Sequence, residues 1–220
     1  MRILASCFIS LVVLSSASLR AQSLTVAPGL TISSGALPWA LDHFQGQVEL
    51  VPIHHSTVEV NNHKGANVAG SLAESFFYKP KMTTELAGLQ ARTVIHDANF
   101  SIYFHVEVDP DSSGDSATSN TPTWALVRAT LTKDHRVFAK IQFTQLTGNA
   151  NRVDGVMETT TETLPGGWLK LTPKKALDPG EYAVTPIFKM QNTFSTVVFD
   201  FTLDPNGRNV SDAVLPNAAP

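Results

Sequence analysis

Apolar residues recur at every second position through four long stretches of this chain, and this constrains the fold more than any other feature. Ile102, Phe104, Val106 and Val108 alternate with Tyr103, His105 and Glu107. Ala125, Val127, Ala129 and Leu131 alternate with Leu126, Arg128 and Thr130. Val137, Ala139, Ile141 and Phe143 form a third set, and Val197, Phe199, Phe201 and Leu203 a fourth. A period of two is the period of a strand, so each stretch is expected to lay one face on a core and turn the other to water. Shorter strands are expected at 48–60, 74–79, 93–96, 156–163, 168–172 and 181–188. No stretch carries the 3.6 period of a long amphipathic helix. At most a turn or two of helix is expected, around 38–44 or 84–89.

The turns agree. Lys133-Asp134-His135-Arg136 is a polar hairpin tip, and Pro165-Gly166-Gly167 separates two strands. In Leu177-Asp178-Pro179-Gly180-Glu181-Tyr182 a Pro-Gly corner precedes a tyrosine by two residues. That is the pattern of a tyrosine corner, in which the phenol bonds back to the chain where it crosses between sheets. The expectation is an all-β, immunoglobulin-like antiparallel β-sandwich over 91–204, with an N-terminal strand-containing extension over 22–90 and a disordered tail over 205–220.

The stretch Trp124 to Phe143, Leu164-Pro165-Gly166-Gly167-Trp168, Leu171-Thr172-Pro173, and Leu177-Asp178-Pro179-Gly180-Glu181-Tyr182-Ala183 resembles a group of uncharacterised secreted bacterial proteins. In that group a strand-rich domain ends in an "LTP…LxPGEYA" stretch and an aromatic last strand, here Val197-Val198-Phe199-Asp200-Phe201. The resemblance covers roughly the last 130 residues. It implies the fold and brings no function and no catalytic residues with it.

The chain starts Met1-Arg2, runs apolar from Ile3 to Leu19, and continues Arg20-Ala21-Gln22. This reads as a signal peptide over 1–21, cut after Ala21. The run is broken by Ser6, Ser10, Ser15, Ser16 and Ser18, and is shorter than a bilayer-spanning helix. Cys7 is the only cysteine, so the chain beyond residue 21 has no disulfide, no thiolate metal site and no cysteine nucleophile. Losing residues 1–21 removes Arg2 and Arg20 and no acid, which moves the formal charge from −3 to −5. With no basic cluster, this excludes nucleic acid and anionic membrane as expected partners. The expected location is secreted or periplasmic, with no membrane span left after cleavage.

Four sets of residues are candidates for chemistry, the first being Tyr103, His105 and Glu107, whose shared outward face could hold a polar patch or an acid–base pair. His54, His55 and His63, with His43 upstream, have the side chains for Zn²⁺ or Cu²⁺ if a hairpin gathers them, although adjacent strand histidines point to opposite faces. Asp109, Asp111, Ser113, Gly114 and Asp115 match the start of a Ca²⁺ loop, without its closing glutamate. Trp39, Trp124 and Trp168 could line a sugar platform. No nucleophile elbow and no zinc-protease motif occurs. The expected function is therefore an exported, non-catalytic binding or accessory protein with a protein or glycan partner, with no catalytic residue and no cofactor. The alternative is a small secreted metal-dependent hydrolase or metalloprotein using the His43/His54/His55/His63 region.

Overall fold

The computed structural model describes residues 23–35, 37–61, 81–106, 123–143, 150–153, 155–188, 193–194 and 197–217. The expected signal peptide, the strand expected at 74–79, His63 and the Asp109/Asp111/Asp115 stretch lie outside them.

The described residues are nearly all strand, arranged in antiparallel sheets that do not close into barrels, and the all-β sandwich expectation holds. A hairpin of β1 (Ser23–Ala27) and β2 (Leu30–Ser33) is the outermost layer. Beneath it lies a front sheet of β3 (Trp39–Phe44), β4 (Gln47–Pro52), β9 (Ser101–His105), β15 (Thr159–Leu164) and β16 (Trp168–Pro173), in the order β15-β16-β9-β3-β4. The central sheet runs β14-β10-β17-β19-β5, from β5 (His55–Thr57), β10 (Thr123–Arg128), β14 (Gly155–Val156), β17 (Gly180–Phe188) and β19 (Val197–Leu203). β8 (Thr93–Ile95) joins the end of β19 in parallel, and β18 (Thr193–Phe194) pairs with β17. A back sheet takes β6 (Glu59–Asn61), β7 (Lys81–Ala87), β11 (Thr130–Leu131) and β12 (His135–Phe143), with β13 (Ala150–Val153) on β12.

The main core lies between front and central sheets. Ala40, Val51, Ile102, Phe104 and Leu171 of the front sheet meet Leu126, Tyr182, Val184, Phe201 and Leu203 of the central one. The other face of the central sheet is also covered: Ala125, Val127, Ala183 and Val198 pack on Leu86 and Phe138 of the back sheet. The other face of the front sheet, with Leu50, Tyr103 and Trp168, packs on Leu30 and Ile32 of the hairpin. Alternation alone led us to expect one wet face per strand. The correction is that β9, β10 and β17 are buried on both faces, because a hairpin and a third sheet lie over the sandwich. Tyr103, expected to face outward with His105, is under that hairpin and 5% exposed.

Four further differences have local causes. The expected strand over 125–131 breaks at Ala129, where the chain leaves β10 in the central sheet for β11 in the back sheet. Residues 39–44 and 81–87 are strands, not helical turns, because each pairs with neighbours on both sides. The strands of 22–90 are members of all the sheets: β3 pairs with β9, and β5 with β19. The segment after 204, expected to fray, is held by paired Leu50–Val214 backbone bonds of 2.9 and 2.8 Å and by Asn217 N to Gly29 O at 3.2 Å.

Two turn expectations hold. Tyr182 donates its hydroxyl to Asp178 O at 2.7 Å, closing the tyrosine corner. Pro165–Gly167 forms a single turn between β15 and β16. There Gly167 has φ +75°, and a Cβ on it would meet Val106 O at 2.9 Å, so only glycine fits.

Candidate functional site

The register places two unlike regions at opposite ends of the main core. Trp39 lies opposite Tyr103, and Leu41 opposite Ser101, so Phe104 and His105 sit at the Pro38 end, and Asp42 and Phe44 at the other. Along β19, Val197 and Phe199 belong to the first end, while Leu203 pairs with Ile95 at the second.

At the first end the two sheets part around a cleft of about 380 Å³ lined by Ser34, Leu37, Phe104, His105, Trp124 and Phe199, with Gly35 and Pro38 completing its wall. Its walls are aromatic: Phe104 and Trp124 have ring centroids 4.4 Å apart, and Trp124 and Phe199 6.1 Å. The volume is in the range of small-molecule sites. Trp124 Nε1 is buried without a hydrogen-bond partner. A buried unmade N–H bond costs about 1–3 kcal/mol, so such groups call for an explanation. His105 turns its Nε2 to Gly166 O at 3.0 Å and packs its ring edge-to-face with Trp168, centroids 5.2 Å apart. No carboxylate lines the cleft among the described residues.

At the second end three ionisable side chains are sealed inside. Asp42 on β3 and Glu49 on β4 are cross-strand partners, and both turn toward the core, 0% and 1% exposed. His96, 5% exposed, comes from the segment just after β8. Each offers a ligand atom, and those atoms lie within 4.8 Å of one another. Asp42 is saturated. It accepts from the backbone N–H groups of His43 (2.8 Å), His96 (2.9 and 3.0 Å) and Asp97 (2.8 Å), and its Oδ2 lies 2.8 Å from His96 Nδ1. Glu49 Oε2 accepts from Asn209 Nδ2 at 2.8 Å. Glu49 Oε1 and His96 Nε2 are both buried with no partner. Burial pushes the Glu49 carboxyl above the usual carboxylate value; Asn209 opposes this, Asp42 adds to it, and His96 opposes it. Phe44 covers the imidazole, with ring centroids 4.2 Å apart.

No protein-family model, curated protein or solved structure matches this chain.

The histidines singled out in the sequence are placed apart from one another. His43 Nδ1 pairs with Asp97 Oδ2 at 2.8 Å and is half exposed. His54 Nε2 pairs with Asp212 Oδ2 at 2.7 Å. His55 is exposed at the start of β5. Of the three tryptophans, Trp168 is core at 1% exposure, Trp39 packs beside it under the hairpin, and Trp124 alone lines the cleft. The buried cluster was missed by sequence reasoning. His96-Asp97 reads locally as a turn, and Asp42 and Glu49 lie in short strands whose inward face alternation does not settle. The available signal was Ala40-x-Asp42-x-Phe44, an acid in the middle of an otherwise apolar strand face.

Proposed function

We propose that this chain is an exported, non-catalytic binding protein that takes a sugar ring in the Phe104–Trp124–Phe199 cleft. The observation that carries the reading is the aromatic wall of Phe104, Trp124 and Phe199, whose neighbouring ring centroids lie 4.4 and 6.1 Å apart, along a cleft of about 380 Å³; the buried Trp124 indole N–H beside it has no partner within the protein. A pyranose has an apolar face to lay on such rings and oxygens around its edge to accept from the indole. The non-catalytic part rests on the lining: the imidazole there is engaged with a backbone carbonyl, and no carboxylate stands within the described walls to act as acid or base. The exported part rests on the charged start, apolar run and Ala21 site at the N-terminus.

Isothermal titration of the protein against a panel of soluble oligosaccharides, including cell-envelope glycan fragments, tests this reading. Binding of one class is expected, weakened by Trp124→Phe, which keeps a ring and loses the N–H, and abolished by Trp124→Ala. If no glycan in the panel binds, or if binding ignores both substitutions, the sugar reading is wrong.

A further inference from the structure

We propose that Glu49 and His96, oriented by Asp42, form an internal binding site for a divalent cation of the zinc type. The site is separate from the cleft, at the opposite end of the core, and the proposal does not rest on the sugar reading.

The geometry assigns a role to each atom. The His96 tautomer that donates Nδ1–H to Asp42 leaves a lone pair on Nε2, and that nitrogen has no partner. A carboxylate behind one imidazole nitrogen, with the other free, is how proteins orient a metal-binding histidine. Glu49 repeats the logic: Asn209 holds Oε2, while Oε1 is buried and unpartnered. Asp42 is not available as a direct ligand, because three backbone N–H groups and the imidazole already fill its oxygens. Its part is to fix the ring and to place a second negative charge beside the ion.

The charge argument points the same way. Two carboxylates are cross-strand neighbours inside the protein, and among the described residues no lysine or arginine is paired with either. Asp42 has the imidazole and backbone donors, but Glu49 Oε1 has none; a buried carboxylate left short of partners is costly, and a divalent cation would supply one. One imidazole nitrogen with carboxylate oxygen is a donor set that Zn²⁺ accepts, whereas Ca²⁺ and Mg²⁺ take oxygens throughout. Zinc bonds of about 2.0–2.2 Å would draw the side chains in from their present spread. Water would complete the coordination. Asn209, exposed on the C-terminal segment, marks the way in.

The test is titration of the full, chelator-stripped chain with Zn²⁺ alone, followed by calorimetry and by thermal melting. One equivalent is expected to bind, with a melting temperature that climbs as free zinc rises. Glu49→Gln and His96→Gln should each weaken binding by about tenfold or more, and Asp42→Asn by about 10–100-fold. His43→Ala, His54→Ala and His55→Ala should leave it unchanged. Circular dichroism checks that each variant is folded. Should the inner variants fail to fold, X-ray absorption on the zinc-loaded native chain decides. One imidazole with oxygen ligands supports the site, and two or more imidazoles overturn it. No stoichiometric binding at a large zinc excess, or binding that survives Glu49→Gln and His96→Gln but is lost with His43→Ala or His54→Ala, also overturns it.

Discussion

Among the described residues two clusters of buried ionisable groups stand out, each with two carboxylates and one basic side chain, and they are built to different standards. Between the central and back sheets, Arg136 on β12 reaches Asp200 on β19 at 2.6 Å and Glu181 on β17 at 3.3 Å, all three about 5% exposed or less. Its Nε donates to Gly88 O, Thr202 donates to Glu181 Oε1 at 2.7 Å, and Ala91 N donates to Glu181 Oε2 at 2.9 Å. None of these side-chain atoms is left over. At the far end of the main core, Asp42 is just as well satisfied, but Glu49 and His96 each keep an empty buried atom. The base there is an imidazole, which can lose its charge, where Arg136 cannot. A closed network such as the first ties two sheets together at fixed register. A half-open one such as the second leaves buried polar atoms unsatisfied, which is costly, and the zinc proposal turns on this difference.

The largest expected effect is at the closed cluster. Arg136→Met leaves two buried carboxylates without a counter-charge and should cost about 3–5 kcal/mol in urea unfolding. A loss below about 1 kcal/mol would mean that the carboxylates are not charged in the folded protein, and the contrast would collapse. Next comes Asp42→Asn. The amide keeps one acceptor oxygen but turns a donor toward backbone N–H groups, at a cost of about 2–3 kcal/mol. A cost exceeding that of Arg136→Met would reverse the ranking and make the far end the principal structural lock.

A pH series sharpens the same comparison. Burial pushes Glu181 above its ordinary value of 4.5, and the bonds from Thr202 and Ala91 and the Arg136 charge recover only part of this. The folded state therefore holds a proton on Glu181 in a window above pH 4.5 where the unfolded chain has lost it. Within that window stability falls as pH rises, and above it the full penalty is present. Glu181→Gln removes this dependence. The wild-type advantage over Glu181→Gln, from denaturation midpoints across pH 4–8, should shrink as pH increases. An advantage that grows with pH would show a carboxyl held below its ordinary value, with Arg136 outweighing burial.

How much of this could be read from the sequence depends on how local the cause is. Alternation in β9, β10, β12 and β19 gave strands, and Asp178-Pro179-Gly180-Glu181-Tyr182 gave the corner, because both signals lie within a few residues. The layering was not legible: Leu126 and Val127 are both buried because two other sheets happen to cover the two faces of β10. The same limit hid both charge clusters. Arg136 looked like part of a solvated hairpin tip, and its neighbours His135 and Asp134 do lie at the surface. Asp42, Glu49 and His96 converge only because β3 and β4 pair in one register and the chain after β8 brings His96 back beside them, 54 residues after Asp42. Of the aromatic platform, only Trp124 lines the cleft, since Trp168 opens a strand that the hairpin covers.

The smallest expected effect concerns the segment that closes the far end. It crosses from Asn209, bonded to Glu49, through Asp212, bonded to His54, to Val214, which pairs with the backbone of Leu50. The His54–Asp212 pair is the most conspicuous of these contacts and should matter least: its side chains are 28% and 39% exposed, and such pairs contribute about 0–1 kcal/mol. Asp212→Ala should thus shift the urea midpoint only slightly, and the shift should fade as salt is added. Asn209→Ala removes the remaining partner of a buried carboxylate and should cost more, about 1–3 kcal/mol. If Asp212→Ala proved the costlier of the two, the segment would be clipped from outside, and the buried Glu49 contact would be incidental to it.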